Sequence, residues 1–299
     1  MNGIFAGVIK NELKAPQRLN TRDLSDKHNL YSFSQWLLGF TEAKGQFYIE
    51  KTSNDRFVWI YYLNHTQYDA KLILYIKRVL GVGKIKNNGH NIKFIIKEKN
   101  HIRKIIIPLF DQLSFITHQN YYYSLWSEAF KISESQSLSI DLKVKLIDDI
   151  RDKMNYLPLN YKSPIWNNID LSEVDSLKPI LNKYWVAGFF EGIITFYFIN
   201  KDHYIIPFFK ISEPIEYFLL KAIKKLFHIK SEDSNYTVSN LILDTSNSRA
   251  IDNIYDYFIK LFIGLKVVEY RLWRRGIYYL RLNNSKYLKF RDKLKEIKK

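Results

Sequence analysis

The sequence predicts an α+β chain of two similar halves, each running α-β-β-α-β-β-α, and three observations carry the prediction. The run Trp36-Leu37-Leu38-Gly39-Phe40-Thr41-Glu42 recurs as Trp185-Val186-Ala187-Gly188-Phe189-Phe190-Glu191. The offset of about 149 residues is close to half of the 299-residue chain, the signature of an internal duplication. After each copy come two strand-like runs, and after those an amphipathic helix at nearly the same offset.

The elements follow in order. In the first half the strand runs are Gln46–Glu50 and Phe57–Leu63, turning at Ser53-Asn54-Asp55. In the second they are Thr195–Ile199 and Tyr204–Phe209, turning at Asn200-Lys201-Asp202. Both pairs show the aromatic and β-branched enrichment of hairpins. Ala70, Ile73, Leu74, Ile76, Lys77 and Leu80 then recur at helical spacing, as do Phe218, Leu219, Ala222, Ile223 and Phe227. A second hairpin joins Lys84–Lys86 to Asn91–Lys97 through Asn87-Asn88-Gly89, a favoured turn sequence. Its counterpart joins Ile229–Glu232 to Tyr236–Leu243. Helical sequence near Ile102–Leu113 and Arg249–Ile263 closes the halves. The expected organisation is an N-terminal extension (1–30), a first domain (31–132), a polar, mainly helical linker (133–178) and a second domain with a basic tail (179–299).

Composition bounds the partner. There are 46 Lys plus Arg against 30 Asp plus Glu, a formal charge of +16. Polyanions bind such a surface by releasing their counterions. Charge alone does not separate nucleic acid from an anionic membrane surface. No uncharged apolar run reaches the roughly 18 residues of a spanning helix. The absence of cysteine excludes disulfides, thiolate zinc sites and a cysteine nucleophile. Lys, Asn, Ile, Tyr and Phe, whose codons are AT-rich, dominate, as in compact organelle genomes. The first twenty residues, with one Glu and no Ser, do not read as a signal or transit peptide. His65, His90, His101, His118, His203 and His228 show no metal-ligand spacing, and neither a P-loop nor a dinucleotide fingerprint occurs.

Trp36–Phe47 and Trp185–Phe196 resemble the two signature helices of a single-chain LAGLIDADG homing endonuclease or intron maturase. Leu63-Asn64-His65-Thr66-Gln67, Gly81-Val82-Gly83-Lys84-Ile85 and Glu269-Tyr270-Arg271-Leu272-Trp273 resemble the same family, and the likeness runs from about Tyr31 to the C-terminus. It implies two pseudo-symmetric domains forming a saddle of antiparallel sheets. Leu38, Gly39, Ala187 and Gly188 would lie on the crossing helices, the small residues admitting close approach. In the family the eighth motif position holds a carboxylate for divalent metal. Mg²⁺ requires oxygen ligands, and the bound metal activates water.

Here the eighth positions are Lys44 and Ile193, so neither can ligate a cation. The ninth is Gly45 in one copy and Ile194 in the other, which is expected to alter the second helix terminus. The nearest acids, Glu42 and Glu191, lie two residues earlier, about 200° around a helix axis, and are expected to point away from a metal site. No catalytic residue, metal or cofactor is therefore expected. Mg²⁺ would be needed only for an active nuclease.

The resemblance assigns the sheets to nucleic acid. Period-two alternation groups Gln46, Tyr48, Glu50 and Thr52, and in the second half Thr195, Tyr197 and Ile199. Tyrosines on strands are also common packing residues. Lys84, Lys86 and Lys93 and the cluster Arg271, Arg274 and Arg275 are candidate phosphate contacts, as is the lysine-rich tail from Lys286 to Lys299. The leading expectation is a nuclease-inactive RNA-binding maturase for a group I intron in the mitochondrial matrix, acting alone or with a second splicing protein. One alternative is an active site-specific endonuclease on duplex DNA. The other is a structural RNA-binding subunit of an organellar ribonucleoprotein.

Overall fold

The computed structural model describes residues 30–201, 204–211, 215–229 and 244–297. The first half begins with α1 (Leu30–Lys44), which passes directly into β1 (Gly45–Lys51) and β2 (Phe57–Thr66). Helix α2 (Ala70–Leu80) ends where Gly81 takes a left-handed φ of 69° and its N–H caps Lys77 O. It buries Leu72, Ile73, Ile76, Val79 and Leu80, whereas Leu74, expected on that face, is exposed. Strands β3 (Lys84–Asn87) and β4 (Asn91–Ile96) follow, with Gly89 at a φ of 90° in their turn. The antiparallel sheet has the order β1-β2-β4-β3. A helical run then comprises α3 (Lys99–His101), a π-turn and α4 (Ile107–Phe110).

Helix α5 (Gln119–Glu134), which the expected pattern lacked, follows, and then α6 (Ile140–Met154), within the stretch expected to be a helical linker. Helix α5 runs through the expected boundary at 132–133. Helix α5 covers the inner face of the sheet, with Trp126 against Phe47 and Phe130 against Trp59, and side chains of both helices reach the backbone of β1. Trp126 Nε1–H donates to Tyr48 O at 3.2 Å, Arg151 Nε–H to Ile49 O at 3.2 Å, and Gln119 Nε2–H to Gly45 O at 3.1 Å. Backbone carbonyls of β1 are thereby tied to side chains of α5 and α6. The expected linker is thus largely docked on the first half. Ile147, Ile150 and Trp166 are buried, and Trp166 Nε1–H donates to Ile116 O at 2.9 Å.

After the short α7 (Val174–Leu177), the second half repeats the order with α8 (Lys183–Ile193), β5 (Ile194–Lys201), β6 (Tyr204–Ile211) and α9 (Tyr217–Phe227). The expected second hairpin of this half lies mostly outside the described residues. What is described after it is β7 (Asp244–Thr245), paired antiparallel with β6. Helix α10 (Ser248–Tyr257) stops before Ile263, with Lys260 at a φ of 61° beyond it, so the expected helix is shorter. Helices α11 (Lys266–Arg281) and α12 (Lys286–Glu296) complete the chain as counterparts of α5 and α6.

The duplication extends into the core. Phe47 packs with Phe110, Phe115, Tyr123 and Trp126 at ring separations of 5.2–5.9 Å. In the second half Phe196 meets Phe262, Tyr270 and Trp273 at 5.0–6.0 Å. Phe115, Tyr123 and Trp126 thus correspond to Phe262, Tyr270 and Trp273. Such clusters supply much of the buried apolar area of each half.

Candidate nucleic-acid interface

The two halves meet where α1 crosses α8. A Cβ on Gly39 would overlap Trp185 O and lie 2.8 Å from Phe189 N, and one on Gly188 would overlap Trp36 O and lie 3.0 Å from Phe40 N. Leu38 and Ala187, also expected on these helices, are fully buried. Backbone touches backbone here, which is why the motif requires glycine at both places.

Towards the C-terminal ends of the pair, Glu42 and Glu191 reach into loops, and Glu42 also meets the opposing helix through Trp185. The Glu42 carboxylate accepts Ile116 N–H at 3.0 Å, Thr117 N–H at 2.6 Å and Trp185 Nε1–H at 2.8 Å. Glu191 accepts Ile263 N–H and Gly264 N–H, both at 2.9 Å. The two acids are pseudo-symmetric staples between a motif helix and the loop preceding α5 or α11. A second pair of acids crosses between halves. Glu216 accepts His118 N–H at 2.5 Å, and Asp69 packs against Gly264, whose added Cβ would lie 2.8 Å from Oδ1.

Burial raises the Glu42 carboxyl to about 7 against the pull of its donors, and raises Glu191, with fewer donors and Asp69 nearby, to about 8. Both values exceed the ordinary 4.5. The folded chain therefore holds protons that the unfolded chain has already released, so the contribution is fully present below about pH 4.5 and is lost as pH rises towards about 8. Urea midpoints should fall between about pH 5 and pH 8, and Glu191→Gln should remove part of that fall. A pH dependence identical to wild type in the variant would contradict the assignment.

A cleft of about 620 Å³ opens beneath the helix pair, lined by Lys44, Gln46, Asn64, His118, Thr195 and Lys266 among others. Lys44 ends α1 and Ile193 ends α8, so both eighth positions lie at this cleft as the resemblance implied. The acids that line it accept amide or histidine protons, and His65 pairs with Asp69 at 3.4 Å. Lys266 bonds both carboxylate oxygens of Glu269 at 2.9 Å. Among the described residues no group of three or more His, Cys, Asp or Glu could hold a metal ion. A hard divalent cation does not fit a site offering an ammonium and a butyl group in place of two carboxylates. The expected change at the ninth position is absent. Ile194 leaves α8 in extended conformation (φ −80°, ψ 148°), and Gly45 likewise opens a strand without a positive φ.

The outer face of the first sheet is polar. Gln46, Tyr62, Ile95 and Lys84 form one row across the strands, and Asn64, Lys93 and Lys86 the next. Tyr62 donates to Gln46 Oε1, and Lys93 Nζ sits 5.2 Å from the Tyr62 ring centre. Tyr48 is 52 % exposed beside this row. Tyr62 and Asn64 were missed in the sequence. Their alternation within β2 was the available signal, but only the strand register joins them to Gln46.

Other expected residues lie elsewhere. Thr52 falls past the end of β1 in the hairpin turn, where its hydroxyl donates to Arg56 O at 3.1 Å. Tyr197 lies on the outer face of the second sheet, its ring 5.0 Å from that of Phe208, which is opposite it in β6. Arg271, Arg274 and Arg275 are on α11, which covers the opposite face through Phe196 and Trp273. Arg274 is held over Tyr255 at 4.2 Å and beside Asp256, so it belongs to the packing of α10 on α11. Arg271 and Arg275 are exposed but do not converge with Tyr197.

Paired helices crossing on glycine, each leading into an antiparallel sheet with a solvent-facing surface, define a protein of two pseudo-symmetric halves. The LAGLIDADG endonuclease family model matches residues 37–130. A "probable intron-encoded endonuclease" of Schizosaccharomyces pombe is 30% identical over 92% of this chain and 71% of its own length. A "probable intron-encoded DNA endonuclease" of Mycosarcoma maydis is 26% identical over 72% of this chain and 90% of its own. The chain belongs to the LAGLIDADG endonuclease family. Among solved structures, the homing endonuclease I-GzeII in complex with its DNA target matches with a TM-score of 0.73 at 22% identity, over 88% of this chain and 97% of that one. I-SmaMI bound to uncleaved DNA matches with a TM-score of 0.71 at 21% identity and the same coverage. Both likenesses show the fold.

Proposed function

We propose that this chain binds nucleic acid without cutting it and acts as a maturase, holding the folded core of a group I intron RNA in a mitochondrion. The observation that carries the proposal is the chemistry at the two metal positions. Lys44 and Ile193 occupy them, and the neighbouring acids Glu42 and Glu191 hold loop amides together. The intron would perform its own transesterification, and the protein would shift its folding equilibrium by binding the native form preferentially. The difference between the two sheets supports RNA as the partner. The first presents lysines, amides and tyrosines suited to phosphates and base edges. The second presents Tyr197, Ile199, Ile206 and Phe208 beside Thr195 and Lys210, an aromatic and apolar patch with a cation at its edge, suited to unstacked bases, which RNA loops supply and a closed duplex does not.

Duplex DNA is the second reading. It is favoured by the names of the relatives and by the DNA bound in the solved neighbours. The deciding experiment incubates purified protein with Mg²⁺ and duplex DNA carrying the matching intron-insertion site, and in parallel with the intron's transcript. Intact DNA and faster splicing are expected. Mg²⁺-dependent strand cleavage would overturn the proposal, and selective recovery of ribosomal RNA from the organelle would replace the maturase with a ribonucleoprotein subunit.

A further inference from the structure

We infer that a cavity beside the first sheet receives one unstacked guanine of the bound RNA and reads its base edge through Asp152. The inference rests on the RNA-binding proposal above and names the part of the RNA that this site takes. The cavity, of about 400 Å³, lies between the edge strand β1, the start of α5 and the end of α6. Gln46 and Tyr48 line it from β1, Gln119 and Tyr122 from α5, and Asp152 and Asn155 from the end of α6. Gln46, Gln119 and the neighbouring His118 also line the central cleft, so the cavity borders the surface proposed to meet nucleic acid. Its walls are held in place. Arg151 donates from Nε to Ile49 O at 3.2 Å and from Nη1 to Asp148 Oδ1 at 2.7 Å. Lys51 pairs with the same Asp148 at 2.6 Å, which ties the last turns of α6 to β1.

The lining selects the ligand. Tyr48 is 52 % exposed, and among the described residues no other ring stacks on it. Tyr122 is half-buried, its ring edge-on to His118 at 5.9 Å. Tyrosines placed this way hold bases whose faces are open, as in RNA loops and bulges, and a paired base would first have to leave its stack. The polar groups then choose among bases. Gln119 Nε2–H donates to Gly45 O at 3.1 Å, which fixes the amide and leaves its Oε1 a buried acceptor without a partner. Among the described residues no hydrogen bond or ion pair engages the Asp152 carboxylate, which is exposed, because Arg151 beside it is committed to Ile49 and Asp148. A carboxylate repels phosphate, so what it attracts here is a base edge rich in donors. Guanine presents N1–H and its 2-amino group side by side, matching the two oxygens of a carboxylate. Adenine, cytosine and uracil each place an acceptor next to their donor on that edge, which a carboxylate rejects.

The test uses the full chain and end-labelled single-stranded oligouridylates that carry one central guanine, inosine, adenine or cytosine, read by fluorescence anisotropy at fixed salt. Wild type should bind the guanine oligonucleotide about tenfold more tightly than oligouridylate itself, with inosine, which lacks the 2-amino group, in between. Asp152→Asn should reduce the preference for guanine to about twofold. Tyr48→Ala should weaken binding of the guanine oligonucleotide about tenfold, and Tyr48→Phe should keep most of the affinity. Both side chains are exposed, so urea midpoints equal to wild type are expected and separate lost contact from misfolding. A wild-type preference for another base, or none, overturns the inference. So does an unchanged preference in Asp152→Asn and Tyr48→Ala while Lys93→Ala weakens every oligonucleotide; the interface then stands and the cavity is no part of it. If wild type binds neither these oligonucleotides nor the intron transcript, the underlying proposal fails as well.

Discussion

Replacing Gly188 by alanine is expected to destabilise the chain by about 3 kcal/mol or more, and Gly39→Ala by a similar amount. The added methyl group on Gly188 would overlap Trp36 O and lie 2.7 Å from Trp36 C and 3.0 Å from Phe40 N. All of these are backbone atoms in a helix, so no rotamer change relieves the clash. The helices would have to separate, loosening Trp36, Phe40, Trp185 and Phe189, which are at most 5 % exposed. Because the crossing joins the halves, the loss should appear as reduced cooperativity of urea unfolding as well as a lower midpoint. Gly89→Ala is the control. Its Cβ would meet nothing within 4 Å, so only the left-handed φ of 90° is penalised, by about 1 kcal/mol. Equal effects at Gly188 and Gly89 would show that the crossing is not tightly packed.

Glu42→Ala is expected to cost about 4 kcal/mol, more than Glu191→Ala. Removing the Glu42 side chain strands the amides of Ile116 and Thr117 and the indole N–H of Trp185 in a buried setting. Each unsatisfied donor costs about 1–3 kcal/mol. Removing Glu191 strands the amides of Ile263 and Gly264 only. Thermal unfolding of both variants, measured in EDTA, checks the order. A structural staple predicts the full loss without metal, whereas an acid kept for metal binding would leave metal-free stability unchanged or raise it.

The asymmetry between these two acids was invisible in the repeat, where both read as Phe-x-Glu or Phe-Phe-Glu ends of similar helices. Helical geometry did show that they face away from the eighth positions, because two residues correspond to about 200° of rotation. What they face instead depends on loops some 70 residues away in sequence, Ile116–Thr117 and Ile263–Gly264, which no local pattern connects to them. The same limit explains the arginines of α11. Their clustering with Trp273 suggested a basic patch, but the helix packs by that tryptophan against Phe196, which turns the cluster away from Tyr197. Thr52 failed for a local reason: alternation was carried one residue past the end of β1.

The sequence by itself determined the duplication, the first hairpin and the helix that follow each motif, and the placing of Lys44 and Ile193 at the ends of the two motif helices. All of these are written in residue identity or in spacing of a few residues. Helices α5 and α11 were missed as paired elements because their apolar faces are mixed with tyrosine and charge, and their partners are strands far away in the chain. Only the tertiary structure decided which acids staple loops, which face of each sheet is free, and that Tyr62 and Asn64 stand beside Gln46 and Lys93. Strand register and helix crossing are set by contacts summed over the whole chain, and such contacts leave no fixed spacing in the sequence to read.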